Sequence, residues 1–144
     1  MRDFQLEFHP YVLTHLAPVL ELQQEHGIVT ESYGALTPLL RHPTGGPLKP
    51  ILSAIAAKVA QETGKPIDEA TVLLLWTRAM GAVAVTASGN PARMQWLGEL
   101  AASPQLLTEA DVEEISQIGK KYHFRYYVSV LVDEWMVVSD GLFY

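Results

Sequence analysis

Three short runs of strand composition, residues 5–8, 28–33 and 82–87, are separated by stretches whose apolar residues recur every three or four positions. That order constrains the fold more than any other feature of the sequence. Strands joined through helices form parallel β-α-β units wound right-handedly, which places the chain in the α/β class. Three such strands are too few to close a β/α barrel, and they leave two apolar edges whose backbone N–H and C=O groups need partners.

The punctuation between the runs is legible. The first strand ends at His9-Pro10, because proline pushes the preceding residue out of the helical region. Leu13, Leu16, Val19 and Leu20 then mark a helix that tolerates Pro18 in a first turn and is closed by Gly27. Residues 34–49 hold three prolines and three glycines around Thr44-Gly45-Gly46-Pro47 and read as a long loop. Ile51, Leu52, Ile55, Ala56, Val59 and Ala60 form a helical stripe stopped by Gly64, and Asp68 caps a second helix carrying Val72, Leu73, Leu75, Trp76 and Ala79. Residues 82–87 mix small and β-branched side chains, the composition of a strand buried on both faces. Asn90-Pro91 opens the next helix as cap and first residue, and Thr108 with Asp111 predicts a capping box for a last helix over 109–118. Residues 1–119 therefore form one unit. Residues 120–144 form an aromatic tail, of which 126–138 is expected to act as a lid or edge cover.

Composition excludes several function classes. The net charge of -6 opposes nucleic acid and acidic lipid, and the absence of cysteine rules out disulfides, thiolate nucleophiles and cysteine metal sites. The first residues reach Gln5 and Glu7 without an apolar signal core, and no stretch approaches the roughly 20 apolar residues of a membrane span, so a cytoplasmic protein is expected. Glu109, Asp111, Glu113 and Glu114 read as a solvated helix face without histidine at metal-ligand spacing, and Thr44-Gly45-Gly46 as a turn rather than a phosphate cradle. His123 and Arg125 read as the polar face of the tail, with binding of an acidic group as the sharper alternative.

The run Gln5-Leu6-Glu7-Phe8-His9-Pro10-Tyr11, followed by Glu25-His26-Gly27-Ile28-Val29-Thr30-Glu31-Ser32-Tyr33-Gly34, resembles the sixth and seventh barrel strands of fungal-type NAD(P)H-dependent aldo-keto reductases. Gly46-Pro47-Leu48, Leu73-Leu74-Leu75-Trp76 and Ser88 through Pro91 to Arg93 resemble the family's last helix pair, eighth strand and final cofactor loop. The resemblance runs from Gln5 to about Ile118, and residues 138–144 match nothing in the family. It implies a partial (β/α)8 TIM barrel of about three β/α units, matching barrel strands 6 to 8, with an aromatic C-terminal tail. It also implies NADPH-dependent reduction of the aldehyde or ketone group of a small or secondary metabolite.

Carried over residue by residue, the resemblance makes Gln5 the partner of the nicotinamide carboxamide and Tyr33 the ring on which the nicotinamide stacks. Gly34 and Leu36 fall in the belt over the pyrophosphate, where the family usually has serine, proline and leucine and this chain has Gly34, Ala35 and Leu36. Ser88 and Arg93 match positions that bind the adenosine 2′-phosphate, Arg93 combining a cation with the free N–H groups of a helix start. Ala87 and Leu97 stand where relatives carry a lysine and an asparagine, so NADPH binding is expected to be weak or vestigial. His9 matches the structural His-Pro turn. The family's aspartate, tyrosine, lysine and histidine, which protonate the carbonyl oxygen and orient the substrate, lie on earlier strands than this segment covers. The segment is accordingly expected not to be competent alone and to form a homo-oligomer or meet a partner chain that completes the barrel. Two alternatives stand beside this reading: a catalytically inactive or repurposed half-barrel serving binding or assembly, and a non-redox enzyme of a natural-product pathway.

Overall fold

The computed structural model describes residues 2–127. Strand β1 (Arg2–Glu7) enters a 3-10 turn at Pro10–Val12 and helix α1 (Leu13–Glu25). Strand β2 (Ile28–Tyr33) is followed by one turn of helix, α2 (Thr37–Leu40), and by α3 (Leu48–Thr63) and α4 (Glu69–Ala79). Strand β3 (Val83–Ala84), α5 (Pro91–Ala102) and α6 (Glu109–Lys120) complete the order. All pairings are parallel, in the order β1-β2-β3, with Gln5 opposite Glu31, Glu7 opposite Tyr33 and Ser32 opposite Ala84.

The signals read as stops and starts have their physical counterparts. Gly64 closes α3 at φ 66°, Asp68 accepts the Thr71 N–H, and Asn90 accepts those of Ala92 and Arg93. Thr108 and Asp111 cap each other's backbone reciprocally. Pro18 is not in a first turn: it lies inside α1, exposed, where it removes one helical donor. Asp111 is not solvated either. It is buried and pairs with Lys58 of α3, which locks α6 to α3. The long loop is tightened by α2 and by Gly45 and Gly46, both at positive φ. There the Tyr11 hydroxyl donates to the Gly45 carbonyl (2.8 Å) and accepts from the Leu48 N–H (3.0 Å). A Cβ on Gly46 would lie 2.5 Å from that hydroxyl, so this turn requires glycine for close approach as well as for its backbone angle.

The core lies on one side of the sheet. Leu6 and Phe8 pack with Leu52, Ile55, Val59, Val72, Leu75, Trp76 and Ile115, and the Phe8 and Trp76 rings stack at 5.4 Å. Side chains alternate along a strand. Thr30, Ser32 and Ala82 are accordingly buried with Leu6, whereas Gln5, Val83 and Val85 on the opposite face are exposed, Val83 by 51% and Val85 by 44%. The expectation that residues 82–87 are buried on both faces is thus corrected. The ladder covers only Val83–Ala84, extended by the Val85 N–H donating to Ser32 O (2.9 Å), and nothing among the described residues covers its second face. A sheet sealed by helices on one side and, among the described residues, exposed at Gln5, Val83 and Val85 on the other has the layering of a barrel sector. Of the tail expected over 120–144, residue 120 ends α6 and 121–127 return to the strand ends; the expected lid beyond Tyr127 lies outside the described residues.

Candidate functional site

Parallel strands put all their C-terminal ends on one side, and that side carries the binding loops of α/β barrels. Tyr33 ends β2 there, Gly34 and Leu36 follow it, and Ser88 lies a few residues past β3. The exposed Gln5 side chain on β1 donates its amide N–H to Glu31 Oε2 across the register (2.8 Å). The half-buried Tyr33 ring meets the Tyr127 ring edge-on, with centroids 5.3 Å apart. Gly34 sits at φ 65° between them and Thr37. A Cβ there would come within 2.9 Å of both Thr37 Oγ1 and Tyr127 Cε2, so the departure from serine at this position keeps a tight crossing open. The Leu36 carbonyl accepts from the N–H groups of Leu39 and Leu40 and starts α2.

The second group is spent on local partners. Ser88 Oγ accepts the Asn90 N–H (3.1 Å), and Asn90 Oδ1 occupies the N–H groups of Ala92 and Arg93. Those amides are therefore not the free donors expected at the helix start. The Arg93 guanidinium lies 3.6 Å from Asp68 Oδ2. Burial pushes the Asp68 carboxyl up, but the Thr71 hydroxyl and N–H and the Arg93 charge outweigh it and hold it below the usual range. A phosphate approaching Arg93 would compete with a carboxylate already ionised. No hydrogen bond or ion pair among the described residues joins this group to Gln5, Tyr33 or Gly34.

Charge is concentrated at a place the sequence reading left unassigned. Glu7, fully buried at the end of β1, accepts His9 Nε2–H (3.1 Å) and the Tyr126 N–H (3.0 Å) on Oε1, and the Tyr127 N–H (3.2 Å) on Oε2. Arg125 Nε lies 3.6 Å from Oε2. Burial pushes the Glu7 carboxyl up, yet His9 and the Tyr126 and Tyr127 N–H groups hold it below its ordinary value; burial likewise keeps His9 below its own, against the pull of Glu7. Facing a carboxylate acceptor, His9 Nε2 carries the proton, and its buried Nδ1 has no partner among the described residues. A carboxylate alternating onto the apparent solvent face of a strand was the available signal, but its partners lie 119 and 120 residues away. Arg125 and His123 do not form an open anion site: the first pairs with Glu7, and the ring of the second lies tilted against that of His15, with centroids 3.8 Å apart. Thr44-Gly45-Gly46 is a turn closed by Thr44 Oγ1, which accepts the Gly46 N–H. No cluster of three or more potential metal ligands occurs among the described residues.

No family model matches the chain. Individual proteins do. The chain is 30% identical over 121 residues to the NAD/NADP-dependent indole-3-acetaldehyde reductase of Schizosaccharomyces pombe, an alignment covering 84% of this chain and 39% of that protein. The segment belongs to the aldo-keto reductase family. This aldo-keto reductase segment is also 26% identical over 118 residues to the NADPH-dependent alpha-keto amide reductase of Saccharomyces cerevisiae, covering 82% of the chain and 36% of that reductase. Among solved structures, an aldo/keto reductase from Brucella melitensis superposes on 81% of the segment with a TM-score of 0.54 at 22% identity, which shows the shared barrel fold. The chain spans under two-fifths of the length of the curated relatives it matches.

Proposed function

We propose that the segment forms the cofactor-side sector of an NADPH-dependent reductase of aldehydes or ketones on small or secondary metabolites, and that it reduces nothing without the remainder of the barrel. The observation that carries this reading is the register that sets Gln5 opposite Glu31, two residues before Tyr33, so that Gln5 and Tyr33 share one face near the C-terminal ends of a parallel sheet. An exposed carboxamide and a half-buried aromatic ring suit a nicotinamide, which needs a hydrogen-bonding partner and a flat apolar platform. The opposite end fits less well. Ser88 and Arg93 would take the 2′-phosphate, but Asn90 and Asp68 already engage the donors there. NADPH affinity is therefore weak, with a small preference over NADH. Titration of both nucleotides into the chain and into Arg93→Ala is the test, with the preference expected to vanish by about 1–2 kcal/mol in the variant. Equal binding of both nucleotides, untouched by the substitution, would make the phosphate half vestigial.

A reading as an assembly partner is favoured by the exposed Val83 and Val85 and by an apolar cleft of about 310 Å³ between α4, β3 and α5, lined by Leu74, Ala82, Val83, Leu97 and Leu100. Its occupant on this reading is the rest of a barrel of the relatives' length, on the same polypeptide, a second copy or another chain. Hydrogen exchange of β1 and β3 with and without that sector tests it; edges left unprotected in its presence would contradict it.

A further inference from the structure

We propose that Glu7 is a positioning residue, a clasp that seats residues 125–127 on the strand ends and so places the Tyr127 ring at the edge of Tyr33. The buried carboxylate is shared by two backbone N–H groups in succession, those of Tyr126 and Tyr127, by His9 Nε2–H and by the Arg125 guanidinium. Such a set holds a carboxylate only while it is ionised, since a protonated acid loses acceptor capacity and brings a donor of its own into contact with N–H groups. The chain is thereby fixed at consecutive residues, and the Tyr127 ring that follows packs against Gly34 and edge-on against Tyr33. A second contact keeps the segment in place: the Arg41 guanidinium lies 5.0 Å above the Tyr126 ring. Burying an acid in the sheet would be costly if it served packing alone, because an apolar residue would fill the same space without the desolvation penalty. Its donors identify what it is for.

The clasp itself stands on contacts within the chain; that it borders a nicotinamide platform rests on the reading of Tyr33 given above. The probe is 3-fluorotyrosine placed at position 127, read by fluorine NMR without nucleotide, together with hydrogen exchange of the Tyr126 and Tyr127 amides. In the unaltered chain the label is expected at a ring-shifted position and both amides are expected to exchange slowly. Glu7→Gln keeps the volume but points an amide donor at an N–H group. The label is then expected to move to the position of a free fluorotyrosine, and the two amides to exchange about tenfold faster or more, while β2 amides stay protected. A label and amides unmoved by Glu7→Gln would overturn the proposal. Should that variant fail to fold, the unaltered chain decides: amides of Tyr126 and Tyr127 exchanging as fast as in an unstructured peptide would overturn it equally. NADPH titration of Tyr33→Ala reads the platform separately, so loss of that reading leaves the clasp result distinct.

Discussion

Tyr11 and the Glu7–His9 pair illustrate how much of this segment hangs on single polar groups. The Tyr11 hydroxyl serves one donor and one acceptor of the loop before α3, both buried, so Tyr11→Phe leaves the Gly45 carbonyl and the Leu48 N–H unsatisfied at almost unchanged volume. A loss of about 1–3 kcal/mol is expected in urea unfolding; a midpoint unchanged from the parent would show that water replaces the hydroxyl. His9 and Glu7 make the fold acid-sensitive. Burial holds the His9 pKa below its unfolded value, and the donors around Glu7, overcoming its burial, do the same for the carboxyl. A depressed pKa contributes stability that is present above the unfolded value and lost as pH falls through the folded one. The His9 contribution therefore declines below about pH 6.5 and that of Glu7 below about pH 4.3. Thermal unfolding followed from pH 7.5 to pH 4 should show a melting temperature that falls with pH, and a flat profile to pH 5 would contradict a His9 pKa held down by burial.

Arg78 joins two elements in a way no periodicity reveals. From the last turn of α4 its guanidinium donates to the carbonyls of Leu100 and Ser103 (3.0 Å each) and Pro104 (2.8 Å), so it closes the C-terminal end of α5 with a cation where the helix dipole is negative. A lysine has the charge but not the fork. Arg78→Lys is expected to lower stability by about 1–2 kcal/mol and to speed amide exchange in the last turn of α5 more than in α3. Uniform exchange in both helices would assign the loss to the core instead. Gly119 marks a second junction: a Cβ there would collide with the Pro10 carbonyl and ring, so α6 lies directly on the 3-10 turn. Glycine inside a helix carries no sign of this in sequence, because the partner is more than a hundred residues away.

At the largest scale, the governing fact is that the described residues form a three-stranded parallel sheet with one sealed face and, among those residues, no strand beyond β1 or β3. Exposed Phe4 on β1, Val83 on β3 and Val85 just past it add apolar area at the sheet's edges. The isolated segment is expected to self-associate at micromolar concentration through an interface of well over about 1,000 Å². Sedimentation checks this, and a compact monomer with protected β1 and β3 amides would point to coverage by the chain beyond Tyr127. It is also expected to oxidise NADPH with aldehydes at no more than background rate, because the family's proton donor lies on earlier strands and such groups supply typically 10²–10⁴-fold. Turnover that survives removal of host reductases and is abolished by Tyr33→Ala would overturn that expectation.

The order of elements was readable from the sequence because caps, glycine stops and periodicity are local: Asp68, Asn90, Thr108 and Gly64 each act within three or four residues of where they stand. Gln5, Tyr33, Gly34, Leu36, Ser88 and Arg93 were singled out by a resemblance alone, and their roles as a cofactor site stand as a proposal. What those residues touch was decided only in three dimensions. Asp68 and Asn90 occupy the guanidinium and the N–H groups around Arg93, Asp111 leaves the solvated face for Lys58, and residues 125–127 close on Glu7. Each of those contacts is a competition among polar groups far apart in the chain, settled by how the strands and helices bring them within about 3 Å of one another, and no local pattern records its outcome.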